Sequence, residues 1–203
     1  MSLVLINHIP ASIREIFSQK VKLIAERLSI NPDWLMMVMY AESKLKPTAQ
    51  NKQNGRLVAA GLLQFTSASG IAGMPQMALT LDYIQQLDYV EMYFKPYKGK
   101  LKSYHDVYAV TFFPALVGKA DNWVLSTKNL SASLLAQQNK VVDINRDNQI
   151  TVAEFKQYVR NTIPVELRNH LSFATNIISA TGRLLTLPIA IIIASLIAFY
   201  KVF

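Results

Sequence analysis

In the first half of the chain, apolar positions recur at helical spacing. Between Pro10 and Ser29, Ile13, Ile16, Phe17, Val21, Ile24 and Leu28 return every three or four residues, which predicts an amphipathic helix. Asn31-Pro32-Asp33 reads as the next helix start, with an amide cap, a proline in the first turn and an acid at the positive helix end. That helix runs through Trp34, Met36, Met37, Val38, Met39 and Tyr40 to about Lys46. It is apolar on nearly every side, which predicts a central, buried element. Pro47 marks its exit. Thr48 to Ala60 is polar and carries Asn54-Gly55 as a turn signal. Gly61 to Thr66 forms a short apolar segment, followed by a Gly- and Met-containing loop through Pro75. Further helices are predicted over Thr80 to Tyr97 and Ser103 to about Phe113. No stretch alternates long enough to demand a large sheet, and no repeat recurs at solenoid periods. The predicted fold class is mainly α.

After Ala120 the chain turns to Asn, Ser, Gln and Lys. It reaches a polar, acidic run from Asp143 to Phe155, then a basic helix-like stretch from Val165 to Ser179. From Leu184 to Phe203 it is almost wholly apolar, with Lys201 the only charge. About twenty such residues suffice to cross a bilayer. A buried core helix is the alternative, but it would need a large domain around Ile189 to Ile193. A C-terminal transmembrane anchor is therefore expected, with the lipid bilayer as a partner and Tyr200 and Lys201 at the interface.

Composition narrows the chemistry. With no cysteine among 203 residues, there is no disulfide framework, thiol nucleophile or cysteine-ligated metal. The formal net charge of +8 favours an anionic partner, but the basic residues are scattered and match no nucleic-acid-binding signature. No nucleic-acid partner is expected; wall or membrane fits better. The N-terminus lacks a basic stretch ahead of its apolar run, which breaks at Asn7, so no secretion signal is read there.

One carboxylate draws attention. Glu42 follows the most hydrophobic stretch of the first half. Low-dielectric surroundings penalise ionisation, and a carboxyl kept protonated can donate to a leaving oxygen. Taken alone, Glu42 reads better as a helix-end acid, solvated or paired with Lys44 or Lys46.

Three neighbouring motifs reverse that weighting. Trp34 to Pro47, with Tyr40-Ala41-Glu42-Ser43, resembles the catalytic helix of the lysozyme-like lytic transglycosylases. Gly61-Leu62-Leu63-Gln64-Phe65 is similar to that family's Gly-Leu-Met-Gln motif, and Asp106 to Ala115 resembles its tyrosine-bearing block in bacteriophage versions. Each motif alone is weak; in order and at this spacing they cover roughly residues 20 to 118. The resemblance implies Glu42 as general acid and then base, with Ser43, Gln64, Phe65 and Tyr108 lining the cleft. Read from the residues alone, Ser43 could be a helix-end hydroxyl, Gln64 a surface amide and Tyr108 ordinary core. The implied substrate is the MurNAc-GlcNAc β-1,4 bond of peptidoglycan glycan strands. Ordinary glycosidases carry a second carboxylate about 5–10 Å away. Asp33, Asp82, Asp88 and Glu91 are no obvious candidates, which fits a transglycosylase forming a 1,6-anhydro sugar without water. A muramidase using another acid, or a weakly active structural virion component of the same fold, is the alternative.

Residues 143 to 154 match the twelve-residue EF-hand pattern: Asp143, Asn145, Asp147, the Gln149 carbonyl, Thr151 and Glu154 at the ligand positions. Asn148 stands where Gly is usual, a mild departure because Asn tolerates φ > 0. A polar turn before a helix is the blander reading. One loop without a paired partner implies a structural Ca2+ rather than a sensor.

The expected organisation is a lysozyme-like transglycosylase domain over 1–125, an EF-hand-like segment over 126–162, a basic juxtamembrane linker or helix over 163–183 and the anchor over 184–203. Lys156, Arg160, Arg168 and Arg183 precede the anchor, and the positive-inside rule would leave the enzyme cytoplasmic. A phage protein that enters virions with host membrane, alongside other virion proteins, reconciles that orientation with a wall substrate.

Overall fold

The computed structural model describes residues 2–170. The expected anchor at 184–203 lies outside them, as does most of the expected linker at 163–183. Among the described residues no helix is long and apolar enough to cross a membrane.

The described chain is mainly helical, and it divides into two compact units between Leu101 and Lys102. In the first unit α1 (Arg14–Leu28) buries Phe17, Val21, Ile24, Ala25 and Leu28, the expected stripe except that Ile16 is 53% exposed. The turn before it, Ala11–Ile13, is 3-10 rather than α. α2 (Pro32–Ser43) starts at the expected signal, where the Asn31 side chain accepts the Asp33 N–H at 2.9 Å. Every residue from Trp34 to Met39 is buried. α1 packs on α2 and on α3 (Tyr83–Phe94), so α2 is covered as its composition demands. It stops at Ser43, short of the expected Lys46, because Lys44 and Leu45 both turn left-handed (φ 56° and 58°).

A two-stranded antiparallel hairpin follows, β1 (Gln50–Gln53) and β2 (Arg56–Ala60), turning at Asn54-Gly55 as the sequence signalled. Its register shifts between Asn51 and Lys52. α3 opens on a capping box in which Asp82 accepts the Ile84 and Gln85 N–H groups, both at 2.8 Å.

In the second unit, Ser103 caps α4 (Tyr104–Phe112), and α5 (Ala132–Gln138) and α6 (Val152–Thr162) follow. α4 packs against α6 through Tyr108 and Phe112, whose rings lie 6.1 and 5.2 Å from Phe155.

Candidate active site

Glu42 occupies the last turn of α2 and is half-buried. Its chain neighbour Ser43 is buried, and the Ser43 hydroxyl lies 2.9 Å from the Met39 carbonyl and 3.0 Å from the Leu62 carbonyl. One hydroxyl proton serves either acceptor, so Ser43 ties the end of α2 to the Gly61–Phe65 turn. The two segments that sequence reasoning linked by motif are therefore joined by a buried hydrogen bond.

That turn is built on unusual backbone. Gly61 sits at φ +83°, and a Cβ there would stand 2.6 Å from the Gln86 side-chain oxygen, a position only glycine can fill. Gln64 is also left-handed, at φ 48°. Its amide nitrogen donates to the carbonyls of Gly61 and Ala49 at 3.2 and 3.3 Å, which folds the half-buried side chain back against its own turn. Phe65 pairs with Ala60 through both backbone groups, at 2.7 and 3.0 Å. Its ring is buried and meets Tyr93 edge-on, centroids 6.2 Å apart, so Phe65 forms a floor beneath Tyr93.

Gln86 and Tyr93, which the sequence reading did not single out, belong to this site. Gln86 is fully buried on α3. Its Oε1 accepts the Leu62 N–H at 2.7 Å, and its Nε2 donates to Ala78 (2.7 Å), Pro47 (2.8 Å) and Leu81 (3.1 Å) carbonyls. One amide thus holds the exit of α2, the Gly61–Leu62 turn and the start of α3. Tyr93 lies seven residues on, on the same helical face. Its phenol is held well above the usual tyrosine range, first by burial and then by the nearby Glu42 charge and by Tyr97. The phenol therefore keeps its proton and feels the Glu42 charge. The signal that could have found both residues is the stripe Gln86, Val90, Tyr93, Tyr97 at four-, three- and four-residue spacing.

Opposite ends of the same neighbourhood are occupied by aromatic and basic groups. The Tyr40 ring meets the His8 ring at a tilt of 60°, centroids 4.8 Å apart, and the Lys44 ammonium lies 4.3 Å from the Tyr40 ring centre. Burial lowers the Lys44 pKa.

Four other carboxylates of this unit have structural partners. Asp33 accepts the Val4 N–H at 3.0 Å, Asp82 caps α3, Asp88 pairs with Lys20 at 2.7 Å, and Glu91 takes both Arg27 nitrogens at 2.6 Å. Asp33 also lies about 13 Å from Glu42 along α2, at about 1.5 Å per residue.

The remaining sequence candidates fall in the second unit. Tyr108 is buried, its ring 6.0 Å from Tyr104 and 6.1 Å from Phe155. In the loop at 143–154, Asp143 accepts the Asp147 and Asn148 N–H groups at 3.2 and 3.1 Å. Asn145 and Asp147 accept the N–H groups of Asp147 and Gln149, both at 2.9 Å. Glu154 accepts the Ile144 and Asn145 N–H groups at 3.2 Å through one oxygen and the Thr151 N–H and hydroxyl at 2.9 and 2.8 Å through the other. It thereby closes the loop and caps α6. Asn148 adopts a left-handed φ of +63°, and Ile150 is fully buried. Among the described residues, no group of three or more His, Cys, Asp or Glu side chains is arranged to hold a metal ion.

No curated protein and no solved structure matches the chain. Residues 20–90 match the family model described as Transglycosylase SLT domain. The matched stretch contains Glu42, Ser43, the Gly61–Phe65 turn and Gln86. Residues 20–90 thus carry a lysozyme-like SLT transglycosylase domain, which supports a peptidoglycan-degrading function of the lytic transglycosylase type.

Proposed function

We propose that the chain cleaves the MurNAc-GlcNAc β-1,4 bond of peptidoglycan with Glu42 as its one catalytic carboxyl group. The observation that supports this is the placement of Glu42 on the last turn of a buried helix, pinned through its neighbour Ser43 to the Leu62 carbonyl. Glu42 in its acid form gives its proton to the glycosidic oxygen as the bond to C1 of MurNAc breaks. The resulting carboxylate stabilises the positive charge developing on the sugar ring. It then removes the proton from the same sugar's 6-hydroxyl, whose oxygen bonds to C1. The products are a 1,6-anhydro end and a free GlcNAc 4-hydroxyl, with no water consumed. A single acid suffices because the nucleophile is carried by the substrate. The engagement of Asp33, Asp82, Asp88 and Glu91 in caps and ion pairs favours this course over hydrolysis with a second carboxylate.

Tyr93 donates a hydrogen bond beside the reacting oxygen or to Glu42, and Phe65 fixes its ring. Ser43, Gln64 and Gln86 are positioning residues that hold α2 and the Gly61–Phe65 turn in register. In a zymogram containing peptidoglycan, wild type should clear the gel and Glu42→Gln should not. Clearing by the variant would remove Glu42 from this role.

The loop at 143–154 is proposed to hold one structural Ca2+ through Asp143, Asn145, Asp147, the Gln149 carbonyl, Thr151 and Glu154. Its donor set is hard oxygen, as calcium requires, and Asn148 already makes the turn. Calcium would supply a positive centre that replaces backbone N–H groups as partner of these oxygens. The apolar stretch 184–203 is proposed to anchor the protein in a bilayer carried by a virion. Flotation of the full chain with lipid vesicles tests the anchor, and its recovery from purified particles tests the virion.

A further inference from the structure

The chain leaving the active site is basic, ordered and short. α3 ends at Phe94, and Lys95–Tyr97 forms a 3-10 turn that continues into Lys98 and Lys100. Lys98 N–H donates to the Lys95 carbonyl at 3.2 Å and Lys100 N–H to the Tyr97 carbonyl at 2.9 Å, while Gly99 at φ +80° reverses the backbone. All three lysines are exposed on this folded turn.

Lys95 acts on Glu91 four residues back, whereas Lys98 and Lys100 have no acid near them in sequence. No acidic residue stands between Glu91 and Asp106. Glu91, the acid nearest along the chain, already binds both Arg27 nitrogens at 2.6 Å. Tyr93, two residues before Lys95, meets Phe65 edge-on with centroids 6.2 Å apart, and Phe65 belongs to the turn that Ser43, the neighbour of Glu42, ties to the end of α2 through the Leu62 carbonyl at 3.0 Å. The basic turn therefore borders the carboxylate site, and an anion attracted to it would belong to whatever lies at Glu42. Ammonium groups on flexible stems suit dispersed carboxylates better than a planar, two-pronged contact, for which Arg is the usual choice. Their attraction reaches about 8–10 Å at physiological salt, enough to act on groups branching from a bound strand.

We propose that Lys95, Lys98 and Lys100 bind the free carboxylates of the peptide stems borne by the glycan strand held at Glu42. This deepens the glycan-cleaving reading and rests on it. It makes stem-bearing strands the preferred substrate over bare glycan.

The test separates binding from cutting. Full-length Glu42→Gln protein is titrated with soluble glycan strands carrying intact stems and with the same strands stripped of stem carboxylate charge by conversion to methyl amides. Both titrations are repeated with Lys95→Gln, Lys98→Gln and Lys100→Gln added together. Intact strands should bind about three- to thirtyfold more tightly than stripped ones, the range expected for three rim charges. The preference should vanish in the triple variant and in high salt. Equal binding of both strands, or a preference surviving the triple substitution, overturns the proposal. So does binding of a phosphate-rich wall polymer that the three lysines control while stem carboxylates have no effect. Should the triple variant fold poorly by circular dichroism, Lys98→Gln alone is compared, with a smaller loss expected. Because these titrations involve no turnover, stem binding by a wild type that cuts nothing would overturn only the cleavage reading. Equal cutting and binding of stripped and intact strands would overturn only the lysine proposal.

Discussion

The buried side-chain oxygen of Gln86 accepts the Leu62 N–H at 2.7 Å, fastening the turn opposite Glu42 to α3 from the inside. The same amide donates to the Pro47 carbonyl at 2.8 Å, just beyond the end of α2. Two segments separated by the hairpin are thus set by one residue from a third. Gln86→Leu keeps much of the volume but strands the Leu62 N–H and the Pro47 carbonyl in a buried place. A loss of about 3 kcal/mol is expected, since each orphaned buried group costs roughly 1–3 kcal/mol and relaxation recovers part. Denaturant unfolding of wild type and variant measures it; a change below about 0.5 kcal/mol would contradict the fastening role, being within the range of ordinary surface substitutions.

Tyr93 separates chemistry from packing. Tyr93→Phe keeps the edge-on contact with Phe65 and removes only the phenol hydroxyl. Cleavage should fall about tenfold or more, in the lower range for a lost transition-state hydrogen bond, while thermal stability near neutral pH changes little. The fold raises the Tyr93 phenol above its usual value, whereas the unfolded chain loses that proton near pH 10. The contribution is therefore present below about pH 10 and lost above it, where the unfolded state gains by ionising. The variant should show a shallower alkaline decline in melting temperature than wild type.

His105 gives the opposite limb. Burial, helped by Lys156 and Arg160 against Asp106 and Asp121, lowers its pKa to about 4. The unfolded chain takes up that proton near pH 6.5, so stability is full above about 6.5 and is lost as pH falls toward 4. His105→Gln should flatten the acid side of the stability profile between those values. An unchanged profile measured by thermal melts from pH 4 to 7 would show that the imidazole is not held neutral by the fold.

Calcium should raise the melting temperature by several degrees at concentrations well above its dissociation constant. The readout is the difference with and without chelator, because Glu154 also caps α6 and its loss lowers stability in either condition. Asp143→Ala and Glu154→Ala should each abolish that difference. Identical wild-type melts in calcium and chelator would remove the metal from the loop.

What the sequence made legible was local or carried by type. Asn31-Pro32-Asp33 announced α2 because capping chemistry is written within a few residues, and Asn54-Gly55 announced the hairpin turn for the same reason. The Gly61–Phe65 motif and Glu42-Ser43 pointed to one another by resemblance, and the Ser43–Leu62 bond joins them. The end of α2 was misplaced to Lys46 because Lys44 and Leu45 are left-handed, a conformation side-chain-bearing residues adopt only when tertiary contacts impose it. Gln86 looked like one more polar residue on an amphipathic helix; its weight comes from partners 5 to 39 residues away. Tyr93 was hidden likewise among nearby aromatics, since its meaning depends on how α3 lies against α2.

The most direct test is the mass of the cleavage products. Purified full-length protein is incubated with peptidoglycan, and the released muropeptides are read by mass spectrometry beside a Glu42→Gln control. Wild type should release 1,6-anhydro ends and the variant none. Reducing ends that carry an added water, or anhydro products that persist in Glu42→Gln, would contradict the proposed reaction.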